Sequence, residues 1–408
     1  MRAEAGTSHR PGATPDRSAA YRAALLDWMA CAVRGRSEPA ARAAAATGSG
    51  LLERVAALGT AGHVLDFDDT YLPGIAHLTA PVAPAALAVG AAVGATVGDV
   101  LDAYARGFEA MGALACAGHP ALYDHGWHPT AVCGGVGAAV AAATLLDAPA
   151  EIAMALAALR ASGLRAAFGS DGKSLQVGLA AASGVAAAQL AAAGAGVPLD
   201  RVAAAWRDAY GGEWAEPGDG PQAIDRNWIK AWPCCLQTHG AIECAERVVG
   251  VPDGSLVVLA HPVSRQAAGY DDVETPLQAK FSIPYTTAYT LLHGGPRVDA
   301  FDAIDGAAIE LAARIEVRTD AALGESEFAL LAGDEELARV NAARGSPEHP
   351  LARAELRAKV RDLAGERLDG ALDDPARPAA ELLADVNCAG RQGRGRRSSP
   401  ATRRPTTT

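Results

Sequence analysis

The stretch Thr70–Gly98, TYLPGIAHLTAPVAPAALAVGAAVGATVG, decides how the chain folds. It holds no Asp, Glu, Lys or Arg and is long enough to cross a bilayer, yet Ala, Gly and the prolines 73, 81 and 84 dominate it rather than Leu and Ile. Such a run reads as buried helices packed closely inside a protein. The whole chain shares this texture. Of its 408 residues 50% are hydrophobic and only 5% aromatic, which favours close-packed helices over a sandwich of β-branched and aromatic strands. A chain of this length is expected to divide in two, because single cores rarely grow past about 250–300 residues.

Toward the N-terminus, Tyr21, Leu25, Trp28, Met29 and Ala32 share one face of a helix that Asp16 can cap and Gly35 can end. Further helical patterns cover 51–66, 82–96, 99–117, 130–146, 149–166, 176–194 and 198–209, with Gly- and Pro-rich turns between them. After Ala231 the texture changes. SLVVLAH (255–261), ARIEVRT (313–319) and EFALLAG (327–333) alternate or carry Val and Ile as strands do, with helical patterns at 240–249, 284–293 and 353–364. The expected fold class is mostly α with a smaller α+β domain. Residues 1–15 form a disordered lead-in, 16–230 a helical domain to which 363–390 is a candidate to return, 231–362 the α+β domain, and 391–408 a basic tail.

A formal charge of −11 gives no support for binding nucleic acid or an anionic membrane. The tail RQGRGRRSSPATRRPTTT carries six arginines and no acid, so the remainder stands at −17, and a solvated tail is the simpler reading. Cysteines at 31, 116, 133, 234, 235, 244 and 388 show no C-x-x-C spacing, which argues against zinc and iron–sulfur sites, and their odd number fits a reducing compartment. The opening MRAEAGTSHRPGATPDR lacks the apolar core of a signal peptide, so a cytoplasmic location is expected.

Chemistry concentrates in three places. In HVLDFDDTYLPGIAH (63–77), a helix would align Asp66, Asp69 and Thr70, and a strand would align Asp66, Asp68 and Thr70. Either arrangement crowds carboxylates, which pushes their pKa values apart and can supply an acid and a base together. Solvated acids at a helix end are the bland alternative. In DHGWHPT (124–130), Pro129 forces His128 out of the α region and can open the next helix, a position that suits a neutral imidazole beside an anion. A merely exposed His128 beside a core Trp127 is the equal rival on these residues alone. Finally, the chain has four lysines (173, 230, 280 and 359) against 32 arginines, so each lysine asks for a reason. Lys173 lies in the polar turn GSDGK and Lys230 at the domain boundary, where an ammonium can meet carboxylates in a cleft.

HVLDFDDT followed by HLTAPVAPAALA, then GWHPT, GSDGKSLQVGLAA, KAWPCCLQTH and AKFSIPY, occur in the order found in the MmgE/PrpD family, which includes 2-methylcitrate dehydratases and cis-aconitate decarboxylases. The chain resembles that family from Asp16 to Arg361. The resemblance implies a large helical domain with an α+β lid, a homodimer, and a site between the two domains. It also implies a cofactor-independent and metal-free lyase, a dehydratase or decarboxylase, acting on a small di- or tricarboxylic acid. Carried over by motif, Asp66, His77, His128, Lys173 and Lys230 would be catalytic, and Thr70, Gln176, Cys235 and Tyr285 would bind substrate. His128 or His77 would move the proton, Lys173 and Lys230 would hold the enediolate charge, Asp66 would fix a histidine tautomer, and Thr70 or Tyr285 would bind a substrate oxygen.

Four positions depart from the family pattern. His77 falls one residue late after DDT; Gln176 and Leu179 stand where His and Arg are usual; Cys235 stands where the decarboxylases carry His. Two lost cations would weaken a tricarboxylate's hold by about 1–3 kcal/mol per charged hydrogen bond. The rivals are an isomerase or epimerase using the same proton abstraction, and an inactive member serving as a binding or structural dimer. A terpene cyclase, which also carries D-x-D-D-T, would need far more aromatic lining than 20 aromatic residues supply.

Overall fold

The computed structural model describes residues 17–218 and 221–387. Asp16, the lead-in, Cys388 and the basic tail fall outside them. The first half is helical: α1 (Ser18–Gly35), α2 (Pro39–Ala45), α3 (Leu51–His63), α4 (Thr79–Val93), α5 (Val97–Gly118), α6 (Ala121–Asp124), α7 (Pro129–Leu146), α8 (Ala150–Ala158), α9 (Gly172–Ala192) and α10 (Leu199–Tyr210). The uncharged run Thr70–Gly98 supplies α4, buried without interruption from Thr79 to Gly90.

Small residues set how close these helices come. A Cβ on Gly178 of α9 would stand 2.2 Å from Ala56 O on α3, and one on Gly184 would stand 2.3 Å from Gly135 O on α7. Side chains at these points would force the backbones apart, which explains why Ala and Gly replace larger residues. By length and composition α7 and α9 could cross a membrane, but α7 is 83% buried inside the protein and α9 packs along both α7 and α3.

Two of the expected helices are shorter than their patterns. The 51–66 pattern stops as helix at His63, and the 149–166 pattern stops at Ala158. Beyond Ala158 the chain turns through Gly163, at φ 139°, which a helix cannot accommodate, and runs irregularly to α9. Both early stops deliver side chains to the site described below.

The second half holds α11 (Leu236–Glu246), α12 (Pro262–Ala267), α13 (Pro276–Ala279), α14 (Ile283–His293) and α15 (Gly306–Ala312) around a sheet. Its strands are β3 (Leu256–Ala260), β4 (Ile315–Thr319), β5 (Phe328–Ala332) and β6 (Glu335–Val340), in spatial order β4-β3-β5-β6. β3 runs parallel to β4 and antiparallel to β5, and the hairpin β5–β6 turns at Gly333 in the left-handed region. Then α16 (Arg353–Ala364) and α17 (Ala379–Asn387) pack on α1 and α4. Val360, Leu363, Leu382 and Val386 therefore lie in the helical core, whereas Trp228 to Ala343 supplies the second core. The protein is thus a large helical domain joined to a small α+β domain.

A two-residue antiparallel ribbon ties the halves together: β1 (Thr70–Tyr71) pairs with β2 (Asn227–Trp228), Thr70 opposite Trp228. It fixes the chain leaving the acidic loop against the chain that crosses to the second core.

Candidate functional site

The acidic loop after α3 is neither helix nor strand. Asp66 adopts φ 54°, a left-handed conformation that Asp tolerates better than most residues, and this turn sends the three acids in different directions. Neither alignment expected from spacing occurs.

Asp66 faces ammonium groups. Its Oδ1 lies 3.0 Å from Lys173 Nζ, in the first turn of α9, and 2.8 Å from Lys230 Nζ, just beyond β2. Burial would raise its pKa, but Lys173 and Lys230 overcome that and hold it well below the usual carboxylate range. Lys230 is fully buried and also donates to Asp66 O and Cys234 O, so the three hydrogens of its ammonium all have acceptors. The other two lysines serve the same loop. Lys280 donates to Leu65 O at 2.7 Å, and Lys359 of α16 donates to Phe67 O and Lys230 O and pairs with the buried Asp27 of α1. All four lysines of the chain thus converge on Leu65–Phe67.

Asp68 faces imidazoles instead. Its Oδ2 lies 2.9 Å from His63 Nδ1 and 3.2 Å from His77 Nδ1. Burial would raise its pKa, but His63 and His77 keep it low. In turn, burial, reinforced by the fields of Lys230 and Lys173, outweighs Asp68 and brings His77 down to about 3. His77 Nδ1 approaches Asp68 without making a hydrogen bond, and its Nε2 lies 3.6 Å from Asp66 Oδ1, so neither carboxylate fixes the tautomer of this ring. The acid that hydrogen-bonds a histidine is Asp68 rather than Asp66, and the ring it holds is His63. Asp69 takes a third direction, accepting from Thr79 and Asn227, and burial with the field of Asp68 pushes it up to about 8.

His128 is the N-cap of α7, with Pro129 at the helix's first position and φ −97°, ψ 101°. Its Nδ1 lies 2.6 Å from Gln176 Nε2. The Gln176 amide is oriented by the Leu164 peptide, whose N–H donates to Oε1 and whose carbonyl accepts from Nε2. Nδ1 of His128 must then accept, which leaves the proton on Nε2. Burial, then Lys173, holds this imidazole neutral. Two neutral histidines therefore face the cleft: His128 is held as an Nε2–H donor, and His77 keeps one unprotonated ring nitrogen able to act as a base.

The cleft lies between the two cores. Asp66, Thr70, His77, His128 and Lys173 line it from the helical side, and Cys235 from the α+β side. Thr70 Oγ1 is buried without a partner, as a group awaiting a ligand oxygen would be. Burial pushes the Cys235 thiol up to about 11, so it is not a thiolate at neutral pH. Three expected residues are placed elsewhere. Lys230 lies beneath Asp66, Gln176 holds His128, and Tyr285 accepts from Asp305 N within the second core, away from the cleft. The expectation missed His63, Asp68 and Phe168, whose ring stands edge-on to His128 at 4.9 Å. His63 and Asp68 lay within the acidic motif, and Phe168 immediately precedes the polar turn GSDGK, though as an apolar side chain it carried no chemical signal of its own. His63, Asp68 and His77 also bring ligand-type atoms within 4.8 Å of one another, but two ammonium groups beside them oppose a cation.

Sequence models described as the MmgE/PrpD N-terminal domain and the MmgE/PrpD C-terminal domain match residues 54–207 and 232–382. The first match spans the acidic loop, His128 and Lys173; the second opens at Trp232 beside Lys230. No curated protein matches the chain.

Proposed function

The chain belongs to the MmgE/PrpD family, a family of dehydratase and other lyase-type activity, and we propose that it is a cofactor-independent lyase acting on a small carboxylic acid. The observation that carries this reading is the pair of neutral imidazoles facing one cleft beside Lys173, with the proton of His128 held on Nε2. Lys173 Nζ would bind the substrate carboxylate and hold the enediolate charge that develops on it. His77 would take the adjacent proton at its unprotonated ring nitrogen, its new charge balanced by the nearby Asp68 Oδ2. His128 Nε2–H would donate to the departing or forming oxygen, and Thr70 Oγ1 would hold a substrate hydroxyl. Lys230 holds the Asp66 charge in place without touching substrate.

Chelator-treated protein in deuterated water with a panel of small acids, followed by NMR and mass spectrometry, tests this directly. Deuterium uptake or elimination is expected, and Lys173→Ala or His77→Ala should lower the rate by about 10²–10⁴-fold. Exchange that survives both substitutions, or that vanishes only with chelator, would sink the mechanism. The mass change separates dehydration from decarboxylation, and exchange without mass loss would favour an epimerase. A homodimer and a cytoplasmic location belong to the same proposal, tested by light scattering and by fractionation.

A further inference from the structure

Resting on that lyase reading and deepening it, we infer that the cleft takes a short monocarboxylate with one apolar substituent, not a di- or tricarboxylate. Lys173 is the one cationic side chain among the lining residues, and it already meets Asp66 at 3.0 Å. The remaining lysines are committed elsewhere: Lys230 to three oxygens, Lys280 to Leu65 O, Lys359 to two carbonyls and Asp27. Arg165 stands 4.4 Å over the ring of Tyr123, a lining residue, but does not itself line the cleft.

The fixed charges around the cleft follow from these contacts. Asp66 and Asp68 oppose Lys173, Lys230 and Lys280, while Asp27 and Lys359 cancel each other. The imidazoles of His63, His77 and His128 stay neutral, and so does Asp69, which burial pushes up to about 8. One net positive charge remains. It can balance one carboxylate; a second would be buried without a counter-ion, an arrangement proteins avoid.

The walls agree with the charge. Leu72, Ile75, Phe168, Leu236, Ala267 and Phe281 supply the apolar lining, and Tyr123, Thr130 and Gln237 add polar but uncharged groups. The six apolar side chains can accept an alkyl group, and the three polar ones bring no positive charge to balance a second carboxylate. The free volume is 40 Å³, room for about three water molecules at the roughly 10–15 Å³ each needs, so the enclosed part of the ligand is short.

Matched acids test the inference, each hydroxy acid being offered with one, two or three carboxylates on the same carbon skeleton. Binding is read by calorimetry and turnover by deuterium exchange. The monocarboxylates should bind and react at least 100-fold better than their matched dicarboxylates, and Leu72→Lys should narrow that gap at least 10-fold by adding a second cation. Turnover confined to di- or tricarboxylates would overturn the inference and leave the lyase reading standing. Selective binding of monocarboxylates with no exchange or elimination would support the charge class and count against the lyase. Absence of binding by any monocarboxylate would overturn the inference whatever Leu72→Lys does, so a poorly folding variant does not protect it.

Discussion

Gln176 is one of the positions where the chain departs from its family, and the structure gives that departure a chemical meaning. A histidine can donate or accept at the ring nitrogen facing His128, whereas an amide clamped on both sides by the Leu164 peptide can only donate there. Gln176→Leu should therefore release the His128 tautomer. The ¹⁵N shifts of His128 should change from a single Nε2–H form to a mixture, and kcat should fall by about 10²-fold with little change in KM, the low end of an acid–base contribution. An unchanged ¹⁵N spectrum would remove Gln176 from the mechanism. Asp69 makes a second prediction. Burial and the field of Asp68 raise its pKa from 3.8 to about 8, so between those values the folded state holds a proton that the unfolded state has lost. Stability contributed by this group falls as pH rises across that window, by up to about 1.4 kcal/mol per pH unit. The opposite trend below about 6.5 comes from His77 and His239, each lowered to about 3, and from His63 and His128, also lowered, which together outweigh Asp69 because there the unfolded chain binds the extra protons. Tm should thus peak near neutrality, and Asp69→Asn should flatten the decline between pH 6.5 and 8. At this scale the sequence showed which residues gather, since the quoted motifs contain most of the cleft. It could not divide their roles, because the φ of Asp66 decides which acid meets which base and spacing is silent about φ.

Elements carry these residues into place, and one of the most important comes from far along the chain. α16 packs on α1, and from it Lys359 reaches Asp27, 2.7 Å away, and the carbonyls of Phe67 and Lys230. The last third of the protein thereby locks a loop laid down in the first fifth. Lys359→Met would leave the Asp27 carboxylate buried with neither a counter-ion nor another partner, and it should cost about 3–5 kcal/mol in urea unfolding. Adding Asp27→Asn should recover part of that loss, because the desolvated charge is then gone; a double variant no more stable than the single one would refute the pairing as the cause. The helix α16 was legible from its periodicity, as were β3, β4 and β5 from their Val, Ile and Leu content. The strand β6 was not, since Glu335, Glu336 and Arg339 hide its alternation on an exposed edge of the sheet. The early ends of α3 and α8 were also illegible. Apolar residues continue past both, and what stops them is the tertiary demand of the cleft for Asp66 on one side and for Leu164 and Phe168 on the other.

Over the whole molecule the two basic residue types are kept apart. Arginine holds the surface, in pairs such as Arg106–Asp102, Arg318–Glu316 and Arg361–Asp369, whereas among the described residues every lysine ends in the interior of the site. The physical difference is that a guanidinium is a planar fork suited to exposed carboxylates, while an ammonium is a compact charge whose three hydrogens can be shared among converging carbonyl oxygens. The four lysines were visible in the composition, but their common target was not, because residues 173, 230, 280 and 359 meet only after the crossover at β2 and the return of α16. This partition predicts how the folded protein meets an amine-reactive reagent. Lys173, 7% exposed and lining the cleft, should react first and slowly; Lys230, wholly buried, should react last. Lys280 is the informative case. Burial lowers its pKa to about 8, so a larger fraction of it is the nucleophilic amine at pH 8.5 than of an ordinary lysine, yet its nitrogen is bonded to Leu65 O and does not line the cleft. Peptide mapping after brief labelling should therefore show Lys173 modified and protected by a bound acid, and Lys280 modified only under conditions that also release Lys230 and Lys359. Labelling of Lys280 ahead of Lys173 would mean that the two domains separate in solution more readily than the cleft admits a small molecule.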